Sequence, residues 1–287
     1  MSSLALILVL AAALVHATWN YLAKRAGGGA AFVWLFGLVS VALYSPIALW
    51  LLAERDWHIT PTQLLFMAGT ALIHAAYFLL LQRGYRAGDL SLVYPLARGT
   101  GPLLATLAAV AFFGERPTTL ALAGAALVIG GILFMALRPR DLARAGAHPE
   151  AVGYGILTGV TIAAYTLWDK HAVAMLLIPP LVLDWASNLG RTLLVSPYAL
   201  RHLVQVREVW RARRFEVIAV GVLCPLSYIL VLTALVFTPV SYVAPARELS
   251  IVIGTLFGAH LLSEPHAPRR IVGAAVIVLG VLALALG

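Results

Sequence analysis

Long apolar runs separated by short polar interruptions make up almost the whole chain, and ten such runs can be counted. They cover about residues 4–23, 30–52, 61–82, 90–113 and 119–137, then 151–168, 178–200, 215–237, 241–262 and 270–286. A helix needs about 20 mostly apolar residues to cross a hydrocarbon core of about 30 Å, and each run is near that length. Lipid offers no partner to an open sheet edge, so a spanning chain is either helical or a closed barrel. Barrel strands read as alternating segments of about ten residues, whereas these runs are continuous. The pattern predicts an all-α polytopic membrane protein with ten transmembrane helices. The first run has no basic leader and no cleavage site before a polar start, so it reads as a span and not as a signal peptide. Breakers mark the turns at Gly27-Gly28-Gly29, Gly88-Asp89, Arg116-Pro117 and Glu264-Pro265. Two connections are longer, 138–150 and 201–214. The second is basic and is expected as a loop at the headgroups.

The runs fall into two sets of five related by one offset. Arg247 follows Arg98 by 149 residues, and the same step carries Trp19-Asn20 to Trp168-Asp169, Glu115 to Glu264, Gly124 to Gly273 and Gly131 to Gly280. Gly124-Ala125-Ala126-Leu127-Val128 likewise faces Gly273-Ala274-Ala275-Val276-Ile277. Residues 1–138 and 151–287 therefore read as two five-helix copies joined by a connecting loop at 139–150. Five is odd, so the second copy enters the membrane from the opposite side. Inverted repeats of this kind hold substrate at their interface near the midplane in secondary transporters.

Composition agrees with a lipid solvent. The chain is 62% hydrophobic and 11% charged, with mean hydropathy +0.94, against about 45–50% apolar and about 25% charged in soluble domains. The net charge of +8 sits mostly between the runs, which suits anionic headgroups as partner and not nucleic acid. Fourteen Lys and Arg residues lie in loops after odd-numbered runs and three (Arg55, Arg116, Lys170) after even-numbered ones. By the positive-inside rule both termini then face away from the cytoplasm. Cys224 is the single cysteine, so no intrachain disulfide or cysteine-cluster metal site exists. No phosphate loop, His-Glu-x-x-His pattern or nucleophile elbow is present, so no metal or other cofactor and no catalytic residue is expected.

Gly114-Glu115-Arg116-Pro117, followed by Gly124-Ala125-Ala126-Leu127 and Gly130-Gly131, resembles the EamA-type module of the drug/metabolite transporter superfamily. Ser263-Glu264-Pro265 with Gly273-Ala274-Ala275 and Gly280 is a weaker second copy, in which Ser263 replaces the usual glycine. The Trp19-Asn20 and Trp168-Asp169 pairs resemble the tryptophan-plus-polar element of each module's first helix. The resemblance spans nearly the whole chain. It implies a ten-helix transporter with two EamA-like domains, often an exporter of metabolites or amino acids, and cytoplasmic termini, opposite to the loop-charge reading.

Polar groups within spans are costly in lipid and face a protein interior or a watery cavity. Arg98 and Arg247 occupy equivalent places and offer fixed guanidinium donors for an anionic group; snorkelling to headgroups or pairing with a helix end or a carboxylate is the structural alternative. Glu248 is a partner for either arginine, or a proton-exchanging group. Asp184, Asn188 and Arg191 share one face of the seventh helix, either as specificity groups or as a closed hydrogen-bond network. His16, Trp19 and Asn20 form an i, i+3, i+4 stripe matched by Tyr165, Trp168 and Asp169, which suits a cavity wall or an interfacial belt. His74 and Tyr77 pair in the third span, Tyr94 shares the Arg98 face, and Tyr228 lies in the eighth span. Glu115 and Glu264 stand at the repeat junctions, where they suit turn N–H groups and the positive start of the following helix, with proton coupling as the alternative role. Gly124, Gly131, Gly273 and Gly280 permit close helix packing, within the chain or across a homodimer.

These features point to a secondary transporter or facilitative exporter of a small polar metabolite, working by alternating access in a bacterial-type plasma membrane, with a proton as candidate coupling ion. Two other classes compete. A membrane-embedded enzyme acting on a lipid or polyprenyl substrate needs several acid/base groups converging at one membrane face. A membrane scaffold needs a closed centre and an exposed helix-packing surface. Paired repeats with polar groups at mid-span favour transport.

Overall fold

The computed structural model describes residues 1–54, 56, 58–87, 90–136, 149–261 and 268–287. The regular elements among the described residues are all helices: α1 (Ser3–Ala26), α2 (Ala30–Ala53), α3 (Pro61–Ala87), α4 (Leu90–Phe113), α5 (Thr119–Ala136), α6 (Pro149–Ala174), α7 (Pro180–Arg201), α8 (Leu203–Phe237), α9a (Val240–Ala246), α9b (Leu249–Leu261) and α10 (Pro268–Leu286). With α9a and α9b as two pieces of one crossing, ten spans result. Eight crossings among the described residues are long and apolar enough to traverse a bilayer on those grounds alone. The other two are α5, which is shorter, and α7, which carries Asp184, Arg191 and Arg201.

Local chemistry sets several of the ends. Ser2 accepts from the Ala5 N–H and starts α1, and Gly27 stops it in the left-handed region at φ 84°. Thr60 and Gln63 exchange side-chain and backbone hydrogen bonds before α3, a reciprocal capping box. Two elements depart from the sequence expectation. The basic stretch 201–214 is not a loop: from Leu203 it is helical and continues into α8 across a non-helical Arg213 (φ −135°, ψ 24°). Basic residues are good helix formers, so charge signals a headgroup position without signalling a coil. The ninth span is broken where continuity was expected. Around Arg247 and Glu248 the amides of Glu248, Ser250 and Ile251 bond back three residues, not four, just past Pro245, which has no N–H to give the ladder.

Helix neighbours obey a two-fold relation that exchanges the halves. Thus α1 packs on α8 as α6 packs on α3, α2 on α8 as α7 on α3, and α4 on α6 as α9 on α1, while α2·α7 and α5·α10 are their own mates. Both termini lie on one face, with the Met1 amino group donating to the Ala285 carbonyl (3.3 Å). The α5·α10 seam is closed by the repeat glycines. A Cβ on Gly124 would stand 2.7 Å from the Gly280 carbonyl, and one on Gly131 3.0 Å from the Gly273 carbonyl. Leu64, Leu72, Leu193 and Leu279 point outward, each more than half exposed on the isolated chain, as a lipid-facing surface requires.

Candidate functional site at the helix crossing

Arg98 projects from α4 toward the break in α9, where Arg247 and Glu248 sit. All three are buried, and Glu248 is fully so. The Arg98 guanidinium lies 2.6 Å from Glu248 Oε2, and Arg247 Nε lies 3.4 Å from Oε1. The first contact is an ion pair by distance without hydrogen-bond alignment. It leaves Arg98 Nε and Glu248 Oε2 with no hydrogen-bond partner among the described residues. Breaking α9 here is what allows adjacent residues 247 and 248 both to reach inward; on a continuous helix consecutive side chains diverge. Two guanidinium groups thus share one carboxylate, and one positive charge is left over in a low-dielectric setting.

An aromatic and acidic group continues this centre toward α3, α6 and α8. Arg247 donates to Tyr165 Oη (2.9 Å). Tyr165 stacks on His74 with centroids 4.3 Å apart, and Tyr77 and Tyr228 meet it edge-on. Asp169, fully buried, accepts from Thr70 Oγ1 (2.6 Å) and Tyr228 Oη (2.5 Å) and faces His74 Nε2 at 4.0 Å. Thr70 was absent from the sequence candidates; its i−4 spacing from His74 was the available signal.

The other candidates lie around or outside this group. His16 meets Trp19 edge-on, and Trp19 donates to Ser227 Oγ (3.2 Å). Asn20 is exposed and donates to the His16 carbonyl. Trp168 turns away from the centre: it stacks on Phe66 and donates to the Phe66 carbonyl, with its indole where a Cβ on Gly69 would collide. Tyr94 is half-buried on α4. Asp184, Asn188 and Arg191 bond to one another along α7, at 2.8 Å and 2.5 Å, and Arg191 lies over the Phe36 ring.

Glu115 accepts from the Val240 and Ser241 amides (2.7 and 2.9 Å). The helix start it serves is that of α9a in the other half, not that of the following helix α5. Lys170 donates to the Leu235 and Thr238 carbonyls at the end of α8. An acid at a helix start and a base at a helix end both complement the helix dipole. These two residues line a cleft of about 280 Å³ with His171 and Thr238, but their charges are already engaged by helix ends. Glu264 lies outside the described residues. Among the described residues no three His, Cys, Asp or Glu side chains come together as a metal site would need.

The EamA-like transporter family matches the chain twice, over residues 3–137 and 150–286. The chain belongs to the EamA-like transporter family. It is therefore a multi-pass integral membrane protein of a transport family and not of a catalytic one. No curated protein matches it. A solved structure described only as "Crystal structure of protein" is similar over 100% of this chain and 98% of its own, at TM-score 0.75 and 16% identity. That likeness concerns the fold alone. Both EamA matches run from the first to the fifth helix of their half, so each contributes one arginine to the centre.

Proposed function

We propose that this EamA-like protein is a secondary transporter or facilitative exporter of a small polar metabolite bearing a carboxylate, in a bacterial-type plasma membrane. The observation that carries this reading is the pair of repeat-related arginines sharing the single carboxylate of Glu248. One guanidinium's worth of charge is left to meet an anionic group, and guanidinium forks bind carboxylates with two parallel donors. The surrounding Tyr165, Tyr77, Tyr94 and His16 supply flat walls and hydrogen-bonding tips for the remainder of a small ligand.

The two halves, 1–138 and 151–287 joined through 139–150, serve as the moving units. At the face where α4 and α6 begin, the two helices are in close contact: a Cβ on Gly155 would stand 3.0 Å from Leu96 Cβ and 3.2 Å from the Val93 carbonyl. The mates of α6 and α4, α1 and α9, meet chiefly along α9b, with Tyr21 against Phe257. In this reading the first face is the closed one, and exchanging the α4–α6 packing with that of α1 and α9 delivers substrate across. A proton is the coupling ion of this reading. A homodimer would use surfaces other than the α5·α10 glycines, which pack within the chain.

Proteoliposomes loaded with a broad metabolite mixture test the proposal, with gradients of both polarities. Carboxylate-bearing compounds should exchange, and Arg98→Gln or Arg247→Gln should abolish that exchange in folded protein. Normal flux after either substitution would sink the arginine assignment.

A further inference from the structure

The contact between Asp169 and His74 carries information about hydrogen positions. His74 Nδ1 lies 2.9 Å from the Thr70 carbonyl. A carbonyl only accepts, so Nδ1 carries the hydrogen. In a neutral ring Nε2 is then the acceptor nitrogen, and it faces Asp169 Oδ2 at 4.0 Å. An ionised carboxylate is also acceptor-only. Two lone-pair atoms therefore confront each other around a fully buried carboxyl group, where water does not screen them. A proton on either atom turns the repulsion into attraction: an acid O–H directed at an imidazole, or an imidazolium beside a carboxylate. The remaining shell suits its departure as well, because the Thr70 and Tyr228 hydroxyls still donate to the carboxylate that remains.

We infer that Asp169 and His74 together hold one exchangeable proton, and that it crosses the membrane with the carboxylate of the substrate. The inference rests on the transport reading above and supplies its coupling site. Arg247 donates to Tyr165, Tyr165 stacks on His74, and His74 faces Asp169, so the arginine centre and the acid pair are contiguous. With the proton bound the pair is neutral, and Arg247 is available to a ligand carboxylate. With the proton gone, the pair carries a negative charge that competes with the ligand for Arg247. The charged and titratable groups bearing on the pair are Arg247 from α9, Arg191 and Asp184 from α7, Tyr228 from α8 and Tyr165 from α6. Arg98, on α4, is held by Glu248. Proton and carboxylate therefore favour one another's binding, as co-transport in one direction requires.

The site is built once. The step of 149 residues maps Asp169 to Asn20, His74 to Leu223, Tyr228 to Leu79 and Thr70 to Ala219, none of which titrates. Two measurements on the full chain test the inference. Without substrate, infrared difference spectra of detergent-solubilised protein between acidic and alkaline buffer should contain carboxyl or imidazole bands that vanish in Asp169→Asn and in His74→Gln. With a mixture of radiolabelled amino acids and small carboxylic acids in proteoliposomes, an alkaline lumen should accelerate uptake several-fold over counterflow at equal pH. In both variants that ratio should fall to about one, and because it is a ratio, partial loss of folded protein cancels. An absent infrared signal in the wild type, an unaltered ratio in both variants, or acceleration by an acidic lumen or by a sodium gradient would each overturn the inference. The infrared signal without counterflow of any compound would instead count against the transport reading.

Discussion

Asn20 and Asp169 occupy the same place in the two repeats, each directly after a tryptophan and each on the first helix of its half, yet their surroundings share almost nothing. Asp169 is buried beneath Thr70, His74 and Tyr228. Asn20 is exposed and donates to the carbonyl of His16, one turn back. The tryptophans diverge too, Trp19 reaching Ser227 and Trp168 reaching Phe66. The same holds deeper in the core: Arg98 is followed by Gly99 and Arg247 by Glu248, so the second half supplies the carboxylate that both arginines use. A symmetric scaffold thus carries asymmetric chemistry. The scaffold needs only small residues and apolar faces in register, whereas the proposed carboxylate site needs a defined net charge, and a second carboxylate beside Arg98 would have cancelled the surplus.

Thermal unfolding of detergent-purified protein reads out how far the two halves differ. Glu248→Gln should have the largest effect, roughly 3–5 kcal/mol, since it leaves two buried guanidinium groups without a counter-charge. The glycine seam is the symmetric control. Gly124→Ala and Gly280→Ala each push a Cβ to 2.7 Å from the facing carbonyl, so they should cost the same, about 1–3 kcal/mol each. Gly130→Ala, with open space around it, should be neutral or stabilise by up to about 1 kcal/mol. Unequal costs at Gly124 and Gly280 would break the two-fold picture where it is best defined.

Next comes the asymmetric pair itself. Asp169→Ala strands the Thr70 and Tyr228 hydroxyls and should cost about 1–3 kcal/mol, while Asn20→Ala, at an exposed site, should change stability by less than about 0.5 kcal/mol. Comparable losses at both positions would argue that Asn20 has a buried partner in another state of the protein. A small loss is expected for Lys170→Met, which uncaps the α8 carbonyls at about 0.3–1 kcal/mol.

The candidate site was legible in the chain to different depths. Arg98 and Arg247 stood out because an arginine inside an apolar run is costly and because the repeat offset paired them. Tyr165, Tyr228, His74 and Asp169 were visible one by one, but no spacing rule could join residues of α3, α6 and α8, which are far apart in sequence. Thr70 is faint for another reason: apart from its i−4 spacing from His74 nothing marks it, because threonine is common in membrane helices and bonds to its own helix as readily as to a neighbour. Trp168 resembled Trp19 by position but packs outward on Phe66, because Gly69 vacates the space it fills. The basic segment before α8 was legible as charge but not as helix.

What the sequence determined by itself is the class of fold and its internal symmetry. Hydrophobic continuity dictates helices in lipid because backbone groups there have no other partners, and a constant offset across an odd number of spans dictates inversion. Tertiary structure alone decided which polar groups share a centre, that α9 breaks to present Arg247 and Glu248 together, and that Glu115 caps a helix of the opposite half. Local rules act over one or two turns of a helix. A charge centre is set by which helices cross and at what height, and that depends on every packed surface at once.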